Sequence, residues 1–389
     1  MNKREFLKTM GAGVLGVAAT GLPGAGEALA AEAGEPAARQ TRPRAPERTM
    51  NWVWITPDTQ TPDDEWKRRF AHMRAHDIHA IIPEIWEGRR AHYGTKYLPQ
   101  GSRWLEQILP LAKAEGLEVH GWMVTMPFNN TELAPKHPEW FMVNGKGESA
   151  LTSPAYVDYY RFMCPNQPGV QEHLKRQVEE ISSIEGLDGV HFDYIRYPDV
   201  ILAKALQPKY GLVQDREYPE YDYCYCDVCR REFQAKYGVD PRSLPDPAAS
   251  PEWREFRYDS VTRLMNEMLI PIIRRHGKKV SAATFPNWQH VRQRWHQWDL
   301  DYALPMLYHN FYYGDANWVR DETRAGIDRI REAKTGAQLF AGLFVPDIYP
   351  NGLRKLIEGA QAGGAKGISI FSYRNMNDRL WPVLKGAFA

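Results

Sequence analysis

The run Asp188-Gly189-Val190-His191-Phe192-Asp193-Tyr194-Ile195-Arg196-Tyr197-Pro198 holds a histidine and a carboxylate two residues apart. On a strand that spacing points both side chains to one side of the sheet, away from Val190 and Phe192. A carboxylate so placed can move protons or attack as a nucleophile, provided a second acidic group faces it. The bland alternatives are an ion pair between Asp193 and Arg196, or Asp193 as the cap of a loop. Candidates for the second carboxyl lie at the ends of other apolar runs: Asp347 in Pro346-Asp347-Ile348-Tyr349-Pro350-Asn351-Gly352, Glu84 in Pro83-Glu84-Ile85-Trp86, and Asp315 further along. The Asp347 segment also reads as a helix-capping turn.

Large rings cluster at the same kind of position. Trp54, Trp86, Trp122, Trp288, Tyr194, Tyr308 and Tyr373 lie at or near the ends of apolar runs, where a ring face can stack on an apolar ligand face. His120, His191 and Arg196 would supply polar contacts beside them. Each ring taken singly fits an ordinary core as well.

These residues need a scaffold that brings strand ends together. From Asn51 onward eight short apolar runs recur: Trp52 to Thr56, Ala80 to Trp86, Glu118 to Met126, Gly189 to Ile195, Lys279 to Phe285, Tyr302 to Tyr308, Ala337 to Val345 and Gly367 to Tyr373. Between them lie stretches of helical periodicity, such as Asp64 to His76, Trp104 to Glu115 and Trp253 to Arg275. Gly116, Gly186 and Gly277 stand where helices should stop. Eight strand and helix units predict a (β/α)8 TIM barrel, with a long insertion at about 197–250 after strand four. In such a barrel the polar residues at the C-terminal strand ends carry the chemistry. A doubly wound sheet with a nucleotide cofactor is the rival, but no Gly-x-Gly-x-x-Gly follows the first strand and no Gly-x-x-x-x-Gly-Lys occurs.

Three of the four cysteines fall in the insertion as Cys224-x-Cys226-x-x-Cys229, and Cys164 lies upstream. Three such close thiols cannot all pair among themselves. The spacing suits a tetrahedral structural zinc site if Cys164 reaches it, with two disulfides or free thiols as alternatives. His72, His76 and His79 have no acidic motif beside them and read as surface residues. A catalytic metal site would draw on His120, His191 and His309, but the first strand lacks a paired His-x-His. No cofactor is expected for catalysis.

Residues 1–30 read as an export signal: Lys3, Arg4 and Lys8, an apolar stretch from Met10 to Leu22, and a small-residue end at Ala28-Leu29-Ala30. Lys3-Arg4-Glu5-Phe6-Leu7-Lys8 is similar to a twin-arginine signal with Lys in place of the first Arg, so both that route and the general secretory one stay open. The expected location is periplasmic or extracellular, with membrane attachment only through a retained signal. Residues 31–50, rich in Ala, Pro, Glu and Arg, read as a disordered linker, leaving 51–389 as the barrel. The chain of 389 residues carries 49 Lys plus Arg against 48 Asp plus Glu. That balance gives no electrostatic reason to bind nucleic acid.

The stretch Gly189 to Pro198, together with His120-Gly121-Trp122 and Cys164-Pro165-Asn166, resembles the glycosyl hydrolase-like barrel proteins of the family-10-like type. The likeness spans most of Asn51 to Tyr373. It implies an exported TIM-barrel glycoside hydrolase acting on a poly- or oligosaccharide, with Asp193 matching the acidic residue after strand four. Strands four and seven supply the two carboxylates in many barrel glycosidases, which by resemblance favours Asp347, with Glu84 as rival. The Asp-Gly-x-x-Phe-Asp core is also similar to chitinase-type barrels, but Ile195 stands where those carry an acidic proton donor. The one-plus-three cysteine spacing resembles that of structural zinc sites in some barrel β-galactosidases. The alternative to a hydrolase is a carbohydrate-binding barrel without turnover.

Overall fold

The computed structural model describes residues 48–388; the export signal and most of the linker read from the sequence lie outside them. Nine parallel strands make one sheet: β1 (Trp52–Ile55), β2 (Ala80–Trp86), β3 (Glu118–Val124), β4 (Gly189–Asp193), β5 (Lys279–Thr284), β6 (Tyr302–Pro305), β7 (Gln338–Leu339), β8 (Ala341–Phe344) and β9 (Ile368–Phe371). Each of β1 to β6 pairs with the next, and β1 pairs with β9, which brings the first and last strands together. The architecture is a TIM barrel of eight strand positions.

The seventh position is split at Phe340. Its first half, β7, pairs with β6 through Tyr302–Gln338 and Ala303–Leu339, and its second half, β8, pairs with β9. A bridge from Met306 to Gly342 joins the two sides. A side chain at Gly342 would meet the Pro305 carbonyl oxygen at 2.6 Å, so the close approach needs glycine there.

Alternation along the strands sorts the side chains. Trp52, Trp54, Ala80, Ile82, Trp122, Ala283, Tyr302, Leu304 and Phe340 pack together inside the barrel. Val53, Ile81, Val119, Val190, Phe192 and Val280 face outward into the larger apolar layer shared with the helices. That layer includes Trp66 and Phe70 of α1 (Asp63–Ala75), Leu105 and Ile108 of α2 (Trp104–Ala114), and Leu174 and Val178 of α3 (Pro168–Ser182). Gly116, Gly186 and Gly277 adopt positive φ just past helices, as their sequence positions imply. None of the helices among the described residues is long and apolar enough to cross a membrane.

Between β4 and α5 (Pro251–Arg263) runs the segment read as an insertion, which contains α4 (Asp227–Tyr237). The connection from β3 to α3 is also extended, and the two are stitched together. Gly145 N–H donates to the carbonyls of Pro219 (2.8 Å) and Asp222 (2.9 Å), and Tyr225 N–H donates to Val143 (2.7 Å). Asp222, fully buried, accepts from Arg257, from Arg292 and from the Tyr225 hydroxyl at 2.6 Å. A buried carboxylate with two cations and a phenol is satisfied, and it ties the segment to α5 and to the loop after β5.

The rod that returns to β5 runs through α5, a π-helical turn over Leu264–Leu269, and α6 (Ile270–Arg275). After β6, α7 (Ala316–Ala333) is capped by Asp315, whose carboxylate accepts the Trp318 N–H at 3.0 Å. Asp315 is thus a helix cap. α8 (Pro350–Gly363) and a final turn, α9 (Trp381–Leu384), complete the described chain.

Candidate active site

A cavity of about 90 Å³ opens at the C-terminal ends of the strands. Its floor and walls are Trp54, Trp122, Asp193, Met306, Tyr308 and Phe371. Leu202, Ala203 and Leu206, from the segment after β4, close one side against Phe311 and Tyr312 from the loop after β6. The two loops are joined there by Ala205 N–H donating to the Phe311 carbonyl at 3.1 Å.

Asp193, the last residue of β4, faces this cavity. Its Oδ2 accepts the Trp122 indole N–H at 3.1 Å, and its Oδ1 accepts the Tyr194 backbone N–H at 2.7 Å. Tyr194 has φ +53, the left-handed turn that folds its N–H back onto the carboxylate. Both oxygens accept from donors fixed by the fold. Across the cavity, burial and the nearby Asp193 charge push the Tyr308 phenol well above its ordinary value, so it stays a neutral hydroxyl.

The ion pair of Arg196 is with Asp199, not the Asp193 pairing that the sequence left open. Arg196 Nη1 lies 3.0 Å from Asp199 Oδ2, and the Tyr160 hydroxyl donates to the same oxygen at 3.1 Å. The guanidinium also lies over the rings of Phe285 (4.7 Å) and Tyr194 (5.0 Å). Asp199 lines the cavity and was missed by sequence reasoning. The signal available was its place three residues after Arg196, beyond a strand end.

His120 and His191 face inward, but deeper than the cavity. Trp54 donates its indole N–H to His191 Nε2 at 3.3 Å. Indole only donates, so His191 Nε2 accepts and Nδ1 carries the proton, which goes to Ser281 Oγ at 2.9 Å. The Ser281 hydroxyl then donates to His120 Nδ1 at 2.8 Å, and His120 Nε2–H donates to Glu118 Oε1 at 3.0 Å. Lys279 and Arg48 close the lower end on Glu118. Burial works against the Glu118 charge, but His120 and Lys279 overcome it and hold the carboxyl at about 2. Burial, then His120, keeps His191 far below the usual imidazole range, hence neutral. The pair expected as ligand contacts therefore forms an ordered chain along the barrel axis, ending under Trp54.

The other residues read from the sequence divide as follows. Trp54, Trp122, Tyr194, Arg196 and Tyr308 line the cavity. Trp86 packs in the outer layer against Phe128, at 6.3 Å between rings. Tyr373 lies outside the cavity, near Arg69 and Trp381, and Trp288 packs beside Tyr258 and His296. Glu84 is buried on β2 with the inward parity of Ala80 and Ile82, opposite Trp122 in the β2–β3 register. Asp347 is exposed in the turn after β8 with φ +60, outside the cavity wall.

Away from the cavity the four cysteines converge. Cys164 Sγ lies 3.4 Å from that of Cys229 and 3.6 Å from that of Cys226, and all four sulfurs fall within 4.8 Å of one another, buried and unpaired. Four thiolates at about 2.3 Å from one ion would sit roughly 3.8 Å apart. The residues fit a tetrahedral tetrathiolate metal site, placed where the loop after β3 meets the segment after β4. The Asn166 amide, donating to Cys229 Sγ at 3.3 Å, supports one ligand from outside.

The family model described as glycosyl hydrolase-like 10 matches residues 50–330. No curated protein matches the chain. Among solved structures, the catalytic domain of a β-amylase from Paenibacillus polymyxa is similar at 11% identity, covering 86% of this chain and 95% of that one, with a TM-score of 0.60. A β-galactosidase from Halorubrum lacusprofundi matches at 15% identity and TM-score 0.60, covering 87% of this chain and 57% of its own. One from Marinomonas ef1 matches at 14% and 0.59, covering 86% and 58%. This chain thus spans a little over half the length of those two β-galactosidases, and the likeness is one of fold.

Proposed function

The chain belongs to the glycosyl hydrolase-like 10 family, and from that membership we propose that it is a glycoside hydrolase cleaving a poly- or oligosaccharide, and from the sequence of residues 1–30 that it is exported. The observation that carries the proposal is Asp193, held with both oxygens hydrogen-bonded at the wall of an aromatic cavity at the catalytic end of the barrel. Such hydrolysis divides its work between an acid that protonates the leaving oxygen and a carboxylate that attacks the sugar or activates water. Asp193, already accepting two donors, takes the anionic role.

Glu84 is the preferred proton donor. It shares the inward layer and stands beside Trp122, whose indole reaches Asp193. Neither Glu84 nor Asp347 lines the cavity, but Asp347 is exposed in the turn after β8 whereas Glu84 is buried opposite Trp122. Trp54, Trp122 and Tyr308 offer ring faces to the sugar. The four cysteines would hold a zinc ion that fastens two loops; with four thiolates it keeps no open position for catalysis.

The test is sugar release by the mature protein from a broad panel of bacterial, plant and host glycans. Asp193→Asn and Glu84→Gln should each lose activity by a factor of about a thousand, with Asp347→Asn near the parent. Unchanged cleavage by Asp193→Asn overturns the assignment. A carbohydrate-binding barrel without turnover is the second reading. It is favoured by the engagement of Asp199, the other cavity carboxylate, with Arg196 and Tyr160. Glycan binding without release of product from any form would select it.

A further inference from the structure

Among the described residues three large hydrophobic side chains stay mainly in solvent: Val213, Tyr349 and Tyr313, exposed by 84%, 77% and 69%. All three stand on connections that leave the C-terminal ends of strands, Val213 after β4, Tyr313 after β6 and Tyr349 after β8. Single exposed hydrophobic residues need no explanation. Their confinement to the end of the barrel that holds the cavity does.

Tyr313 is set by its neighbours. Phe311 and Tyr312 line the cavity; Tyr312 stacks on Trp318 at 5.1 Å and donates its hydroxyl to Asn287 at 2.8 Å. At Tyr313 the chain turns through φ +54, an unfavourable conformation for a bulky residue, and its ring is left in solvent beside a half-buried one. Tyr349 follows β8, whose Phe344 packs against Tyr308 (5.2 Å) and Phe311 (5.1 Å), so the loop after β8 begins beside the same wall. The cavity, at about 90 Å³, has room for on the order of six water molecules, the scale of one sugar ring.

We infer that Tyr313 and Tyr349 are stacking platforms for sugar rings outside the cavity, so that the ligand is a chain of several residues. This rests on the carbohydrate reading above and extends it from the cavity to the rim. A phenol presents an apolar face to sugar C–H groups and a hydroxyl to their oxygens. The rings stand singly on separate loops among Asp315, Asp347 and other polar residues, which suits a ribbon of sugars better than the continuous apolar patch of a protein interface.

The experiment measures binding of cello-, chito-, xylo- and malto-oligosaccharides, each from disaccharide to hexasaccharide. The proteins are the parent chain, Tyr313→Ala, Tyr349→Ala, and the ring-retaining Tyr313→Phe and Tyr349→Phe. In the series that the parent binds, each alanine variant should weaken the hexasaccharide about three- to tenfold and leave the disaccharide within about twofold, with phenylalanine restoring most of the loss. Equal affinities for parent and alanine variants at every length overturn the platforms while leaving the carbohydrate reading intact. So does a loss that is the same for short and long chains. If the parent binds no chain in any series, the carbohydrate reading fails and the platforms fail with it.

Discussion

The Trp122 indole nitrogen lies 3.1 Å from Oδ2 of Asp193 and joins the inner layer of β3 to the last residue of β4. A hydrogen bond to a charged group contributes about 1.5–3 kcal/mol. Trp122→Phe keeps most of the ring and removes the donor. It should lower kcat/KM by roughly ten- to a hundredfold while shifting the melting temperature little, as checked by steady-state kinetics beside a thermal scan.

Acid should weaken the fold before it reaches ordinary carboxylates. Burial lowers His173 to about 4 and holds His191 well below its usual value, whereas both protonate near 6.5 in the unfolded chain. Between those values the unfolded state binds more protons, so stability falls as pH falls, by about 1.4 kcal/mol per pH unit per group, and is level above about pH 7. Glu118, held at about 2, acts in the same direction only below about pH 4.5. Urea unfolding at successive pH values between 7.5 and 5.5 should give a shallower slope for His173→Gln than for the parent; equal slopes refute the assignment.

The cysteine cluster makes a stoichiometric prediction. Elemental analysis of the purified protein should find close to one zinc per chain, and thiol titration under denaturing conditions with chelator should find four free thiols. Cys226→Ser should lose the metal and lower the melting temperature by several degrees, because the loops after β3 and β4 lose their shared fastening. Fewer than four thiols would mean disulfides.

Arg196 and Asp199 should behave as one unit. Arg196→Met leaves a buried carboxylate without its cation and should cost about 3–5 kcal/mol in urea unfolding. The double variant Arg196→Met with Asp199→Leu should recover most of that loss. A double variant no more stable than the single one would assign the cost to the stacking of the guanidinium on Phe285 and Tyr194.

The strands were legible because alternation and length are local, and β2 begins and ends where its apolar run does. The inward facing of Asp193 followed from its two-residue distance from His191. Depth along the barrel did not: spacing fixes the side a residue faces and leaves open its layer, which is why His191 lies under the cavity. Trp86 lies away from the cavity for another reason. A register shift between Glu84 and Trp86 breaks the alternation at the last residue of β2, and its ring joins the outer layer. Asp347 lies outside the cavity lining because a strand-end position says nothing of the turn that follows, here a left-handed one at Asp347 itself. The split at Phe340 arises from register against both neighbours, information that no single segment holds.

That split gives the barrel wall an unequal construction. β8, α8 and β9 form a stave whose two edges are both thinly joined: to β6 through the Met306–Gly342 bridge, and to β1 through Trp52–Ser369 and Val53–Ile370. From β1 to β6 neighbouring strands are laced by longer ladders, such as the five pairs between β3 and β4. The residues matched by the family model, 50–330, end before this stave begins. Phe371 of the cavity wall and exposed Tyr349 both belong to it. The part of the cylinder with the least lateral attachment thus carries part of the rim, so a small outward lean of one stave would widen the mouth while the laced strands kept Asp193 in place.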